Sequence, residues 1–184
     1  LIEIMQLSDD GSGVIGKKIK LKTDCLGISG GWTPMVHLFT QSGGKLKFRS
    51  DDNVFLPDKN KTPSDQISIG SCNGDFEIKD IILNSNKDVK TFLGIENSSF
   101  DNLKVESSKE EMKRNIWLLP SDKPIGKTKP FLDFQNDSTA KDVKLALREG
   151  FKSIEHVKRY TTTGMGTDQG KLSNMHALGI IAET

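Results

Sequence analysis

Four short stretches carry the residue types and spacing that binding a phosphate or a nucleotide would need. Gly11-Ser12-Gly13-Val14-Ile15-Gly16 spells GxGxxG, whose glycines let backbone approach a pyrophosphate where a helix begins. Lys17-Lys18-Ile19-Lys20-Leu21 follows with strand alternation, so the match reads as a hairpin turn. Gly126-Lys127-Thr128 has the close of a phosphate loop, but Ser121 stands where its first glycine belongs and Pro130 stops a following helix. Gly70-Ser71-Cys72-Asn73-Gly74-Asp75 has better surroundings. A short strand ends there and a helix begins, which leaves free N–H groups and the positive end of a helix dipole beside a tight turn. Such a turn can hold part of a nucleotide or simply join strand to helix, and spacing does not separate the two. Gly30-Gly31-Trp32-Thr33-Pro34 is a second strand-end turn where small residues permit close approach of ligand or backbone, with Trp32 read as a packing residue.

Other chemistry is poorly supplied. His37, His156 and His176 are scattered, and Cys25 and Cys72 stand alone without a CxxC or a Cys/His cluster, so neither a metal site nor a disulfide framework is expected. Both cysteines have apolar or small neighbours and read as buried free thiols of a reducing, cytoplasmic compartment. No Ser/His/Asp set or carboxylate pair has a context for hydrolysis. With 26 basic and 25 acidic side chains there is no bulk field for nucleic acid or anionic lipid, and partners must be chosen by shape. No apolar run approaches the roughly 20 residues that span a bilayer. Hydrophobic residues at 34% and charged residues at 28% describe a folded globular chain. It opens in mid-strand at Leu-Ile-Glu-Ile-Met and reads as a fragment of something longer.

The elements that must position these residues follow from periodicity. Leu1 to Ser8 and Lys18 to Lys22 alternate around the turn cluster Asp9-Asp10-Gly11-Ser12-Gly13, which predicts a hairpin. Cys25-Leu26-Gly27-Ile28-Ser29 is a compact apolar run, expected as a strand buried on both faces of a parallel sheet. Residues 41 to 65 read as surface loop with one hairpin around Gly43-Gly44. Gln66 to Ile69 reads as a strand, and Phe76, Ile78, Ile81 and Ile82 form a helical stripe beside Asp75 and Glu77. Residues 85 to 130 give the weakest signal, with a short helix at Glu110 to Leu118 and three breaking prolines. Beyond them, Thr139-Ala140-Lys141-Asp142 is a capping box, Gly150 stops its helix, and Ser153 caps the next. Gly164-Met165-Gly166 breaks that second helix, and a third begins at Met175.

Longer stretches resemble a known family. Asp133-Phe134-Gln135-Asn136-Asp137, Lys141-Asp142, Glu149-Gly150-Phe151, Glu155 to Thr162 and Gly164 to Lys171 are similar to the α subunit of heterotetrameric sarcosine oxidases. Asp24 to Pro34 resembles that family's return from its inserted nucleotide domain to the main one, as in disulfide-reductase-like flavoproteins. The resemblance implies an α/β fold in which residues 1–92 are the C-terminal part of a two-dinucleotide-binding-domain fold. Residues 93–130 are then a connector, and 131–184 a small all-α, ferredoxin-like A3 module. It implies non-covalent NAD in this subunit, with Gly30, Gly31, Gly70, Ser71, Gly74, Phe76 and Ile78 lining one wall of the site. Partners would be a flavin-containing β subunit and two small subunits. FAD, covalent FMN and tetrahydrofolate would belong to the complex but lie outside this chain. That complex oxidises sarcosine to glycine, forms peroxide and passes the one-carbon unit to tetrahydrofolate.

Two departures qualify these expectations. The wider class offers a cofactor hydroxyl an Asp where Ser71 matches here, which speaks against FAD and suits a non-flavin dinucleotide. The ferredoxin-like module holds a two-iron cluster on cysteines, and the matching residues are Asp133, Gln135, Asp168 and Ser173, so no iron-sulfur cluster is expected. The former cluster loop, with Thr161, Thr162, Gln169 and Lys171, then becomes a candidate contact to FMN or the flavin subunit. An equivalent subunit of another amine or opine dehydrogenase is the alternative within enzymes, and a scaffold that binds no dinucleotide is the alternative outside them.

Overall fold

The computed structural model describes residues 1–28, 31–63, 65–100, 103–107 and 116–184. In chain order the strands and α-helices are β1 (Ile2–Leu7), β2 (Val14–Leu21), α1 (His37–Gln41), β3 (Leu46–Arg49), β4 (Val54–Pro57), α2 (Ile78–Leu93), β5 (Phe131–Asp133), β6 (Ser138–Thr139), α3 (Ala140–Arg148), α4 (Ile154–Thr161) and α5 (Asn174–Ala182). Short 3-10 turns occur at Lys59–Lys61, Gly70–Asn73 and Ile125–Lys127. The fold is mixed α/β, and the described strands form three separate two-stranded antiparallel ribbons. Two compact units divide the chain: Leu1–Leu26 with Ile116–Thr184, and Gly27–Asn115. No helix among the described residues is long and apolar enough to cross a membrane.

In the first unit β1 and β2 form the hairpin expected from their alternation, with Ile2 opposite Leu21 and Ile4 opposite Ile19. The turn is built by Asp10, whose carboxylate accepts from Ser8 Oγ at 2.6 Å, Ser12 Oγ at 2.7 Å and the Ser12 amide at 3.1 Å. Those bonds pull the carboxyl well below the usual range for an acid. The GxGxxG match is therefore a hairpin turn, because its amides and side chains close on one another.

The helices of this unit pack around Leu132, Ala140, Val143, Ala146, Val157, Ala177 and Ile180, with Trp117, Phe151 and Ile181 against them. Small residues on α3 let the helices approach closely. Thr139 caps α3: its hydroxyl accepts from the Asp142 amide, and the Asp142 carboxylate accepts from the Thr139 amide at 2.9 Å. Gly150 ends the helix at φ 94°, where only glycine is unstrained. Ser153 occupies the cap position of α4, but its hydroxyl makes no capping bond.

The second unit holds β3 paired with β4, Phe48 opposite Phe55, and a small apolar centre of Phe39, Val54 and Leu56. Here several expectations fail. The hairpin turns at Ser50–Asn53, whereas Gly43 and Gly44 join α1 to β3. The Gly44 site lies against the Phe39 ring and has no room for a Cβ. Gln66–Ile69 is not a strand, and neither are residues 25 to 28. Leu26 and Ile28 are 56% and 79% exposed. A strand needs a hydrogen-bonded neighbour on at least one edge, and none of the described segments pairs with either stretch. Consequently Cys25 is exposed and Cys72 only half-buried, contrary to the expectation of buried thiols. Of the helix expected at Glu110 to Leu118, residues 110 to 115 lie outside the described residues, and 116 to 118 are not helical.

Candidate functional site

The turn that joins residue 69 to α2 is built as a glycine site requires. Gly70 has φ 66° and Gly74 φ 92°, both in the left-handed region. The amides of Gly74 and Asp75 donate back to the carbonyls of Ser71 and Gly70, at 3.2 Å each, so the turn closes on itself. Those two amides are thus not available to a phosphate. What the turn presents is the exposed Ser71, with Phe76 43% and Ile78 67% exposed beyond it. Gly31 is exposed at φ 102° and makes no hydrogen bond to this turn, and Gly30 lies outside the described residues.

Two residues at the turn were not read from the sequence as site residues. Arg49, the last residue of β3, donates from Nη2 to the Gly74 carbonyl at 2.9 Å and from Nε to Asp52 Oδ1 at 2.8 Å. A Cβ at Gly74 would stand 2.8 Å from both Arg49 Nη1 and Leu56 Cδ1, so the turn packs tightly onto the β3–β4 hairpin. Glu77, at the N-cap of α2, has Oε2 buried with no hydrogen-bond partner. Buried acceptors of this kind are ordinarily paired with a donor from protein, solvent or ligand. In the sequence, the Arg49/Asp52 spacing of three is the one mark that could have pointed to the first of these.

A second cluster lies where the loops of the helical unit meet. Asp133 is 4% exposed, and its carboxylate accepts from the amides of Gln135 at 2.9 Å, Asn136 at 3.1 Å and Gly164 at 2.7 Å. Burial works to raise the pKa of this acid, but the three amides outweigh it and hold the carboxyl below its ordinary value. Gln135 Oε1 accepts from the Thr167 amide at 2.6 Å and its hydroxyl at 2.8 Å. Asp168 accepts from the amides of Gly170 and Leu172. Ser173 is 1% exposed and its hydroxyl has no partner.

Residues 127–184 match the family model described as the sarcosine oxidase A3 domain. Those residues belong to the sarcosine oxidase A3 domain family, and the chain as a whole is similar to sarcosine oxidase α subunits. The subunit alpha of sarcosine oxidase from Rhizobium meliloti (strain 1021) is 35% identical over 178 residues, covering 91% of this chain and 17% of that protein. Its counterpart from Corynebacterium sp. (strain P-1) is 31% identical over 185 residues, covering 97% of this chain and 19% of that protein. The chain thus spans under a fifth of the length of these curated relatives.

Within the A3 domain, the four positions expected to replace cluster cysteines take three different places. Asp133 and Gln135 tie the β5–β6 loop to the glycine loop through bonds spanning 31 and 32 residues. Asp168 organises the glycine loop locally, while Ser173 lies buried at the start of α5. Asn174, unnoticed in the sequence, lies against Gly164 and Gly170, where any Cβ would collide with it. Of the candidate interface residues, Thr161 is internal, its hydroxyl donating to the Val157 carbonyl at 2.8 Å. Thr162, Gln169 and Lys171 are exposed, and the first two have positive φ, 58° and 55°. A β-branched residue in that region is strained and persists only where its surroundings hold it. Here the Asn136 side chain holds the Thr162 carbonyl at 3.1 Å.

Proposed function

We propose that this chain is a non-catalytic part of the α subunit of a heterotetrameric sarcosine oxidase. In this reading it contributes one wall of an NAD site and an A3 docking module to a flavin enzyme that demethylates sarcosine to glycine, with peroxide formation and one-carbon transfer to tetrahydrofolate. The similarity over 91% and 97% of this chain to two subunits of that name carries the reading. The dinucleotide part rests on a turn whose groups suit a nucleoside: the exposed Ser71 hydroxyl, the unpartnered Glu77 Oε2, and the apolar Phe76 and Ile78. In it, residues 1–92 descend from a two-dinucleotide-binding-domain fold, with 93–130 as connector. NAD bound there would supply a redox-active nicotinamide, while this chain's residues bind and orient the nucleoside.

The A3 loops do not suit an iron-sulfur cluster. Three of the matching positions carry carboxylate or amide oxygens already engaged by backbone amides, and the fourth a serine hydroxyl, where thiolates are needed. A loop held by such bonds keeps its shape without iron, leaving Thr162, Gln169 and Lys171 to face the flavin subunit or its FMN phosphate. The test uses the purified complex containing this subunit. Sarcosine should yield peroxide, denaturation should release a dinucleotide, and this chain alone should do neither. Peroxide without a dinucleotide would favour a scaffold role for the turn, and no turnover of sarcosine would move the subunit to another amine oxidoreductase. Lys171→Ala should weaken FMN retention, and unchanged flavin content removes that contact from the proposal.

A further inference from the structure

We propose that Arg49 is a positioning residue of the dinucleotide turn, acting through the Gly74 carbonyl; the inference rests on the reading of Gly70–Ile78 as part of an NAD site. Three observations converge on it. Arg49 and Gly74 are 25 residues apart, yet Nη2 donates to the Gly74 carbonyl at 2.9 Å. The same guanidinium is held in place by Asp52, which accepts from both Nε and Nη2. The Gly74 amide is bound on its other side to Ser71, so the left-handed residue that closes the turn is held at both its N–H and its C=O. A two-point fork of this kind fixes an angle as well as a distance, which a lysine ammonium cannot do.

The geometry also says what Arg49 does not do. Its Nε and Nη2 face protein acceptors, and Asp52 offsets its charge, so it is poorly placed as a free cation for a phosphate. Its effect on a ligand must pass through the turn: with Gly74 held, Ser71 and Glu77 stay at a set separation on either side of it. Glycine is required at 74 both by φ 92° and by the Arg49 and Leu56 atoms 2.8 Å from where a Cβ would be. Arg49 and Gly74 are therefore one joint made of two residues.

The test uses the subunit in its assembled complex and compares wild type with Arg49→Lys, Arg49→Met and Asp52→Asn. Hydrogen exchange of the Gly74 and Asp75 amides should quicken about tenfold in both Arg49 variants, the scale of one charge-assisted hydrogen bond lost. Amides of α3 should keep their rates, which separates a local joint from general destabilisation. Dinucleotide retained after gel filtration should fall in both Arg49 variants alike, and in the same direction for Asp52→Asn. Wild-type behaviour of Arg49→Lys in both measurements would mean that charge alone suffices, and unchanged exchange in Arg49→Met would mean that the turn stands without the joint; either overturns the inference. If the wild-type complex releases no dinucleotide, the NAD reading fails, and the exchange rates still decide whether Arg49 positions the turn. Should Arg49→Met fail to assemble, Arg49→Lys and Asp52→Asn carry the same comparison.

Discussion

Asp133 illustrates how a residue can take over a structural task by hydrogen bonding alone. Its carboxylate gathers three amides from two loops, one of them 31 residues away, in a site that water scarcely reaches. Replacing it with alanine leaves those amides without their acceptor, and we expect the helical unit to lose about 2 to 4 kcal/mol, the cost of buried donors left unpaired. Because the folded-state pKa lies below the unfolded one, the contribution is complete above the unfolded value, near 4, and is lost as pH falls through the folded value. Urea midpoints followed from pH 6 down to about 3 should therefore fall more steeply for wild type than for Asp133→Asn. Parallel slopes would show that another acid governs the transition.

At the scale of elements, packing decided as much as propensity. Gly179 sits inside α5, where alanine would ordinarily stabilise a helix by about 1 kcal/mol. The Trp117 ring lies across that helix so closely that a Cβ at 179 would collide with it. Gly179→Ala should therefore destabilise the unit by about 1 to 2 kcal/mol, as overpacking usually does, with Trp117 fluorescence shifting in the folded state. A gain in stability would mean that the indole moves aside without cost. The start and stop of α3 were readable beforehand, since a capping box at Thr139 and a glycine at 150 act within a few residues, whereas Ser153 makes no capping bond and α4 ends at the left-handed Thr162, before the expected break at Gly164. The strand expected at 25 to 29 does not form over the described residues 25 to 28, because an apolar run of five residues acquires strand structure only from partners.

At the scale of the whole molecule, the expected consequence of the A3 loops is chemical inertness toward iron. Reconstitution with ferrous iron and sulfide should produce no charge-transfer absorbance in the visible, since the four positions that would hold a cluster offer oxygen and amide groups. A stable cluster spectrum would place the ligands elsewhere and overturn the assignment of Asp133, Gln135, Asp168 and Ser173.

Local rules and family resemblance carried the sequence a definite distance. They determined the first hairpin, the three helices of the A3 domain with the capping box of α3, the decoy status of Gly11 to Gly16, and the kinship with sarcosine oxidase α subunits. Each of these depends on neighbours a few residues apart or on many matched positions at once. Only the tertiary structure decided that β3 and β4 turn at Ser50–Asn53, that Arg49 holds the Gly74 carbonyl, that Asn174 fills the glycine loop and that Cys25 is exposed. Those facts depend on which distant segments meet, and side chains 25 to 32 residues apart leave no periodic mark on the chain that joins them.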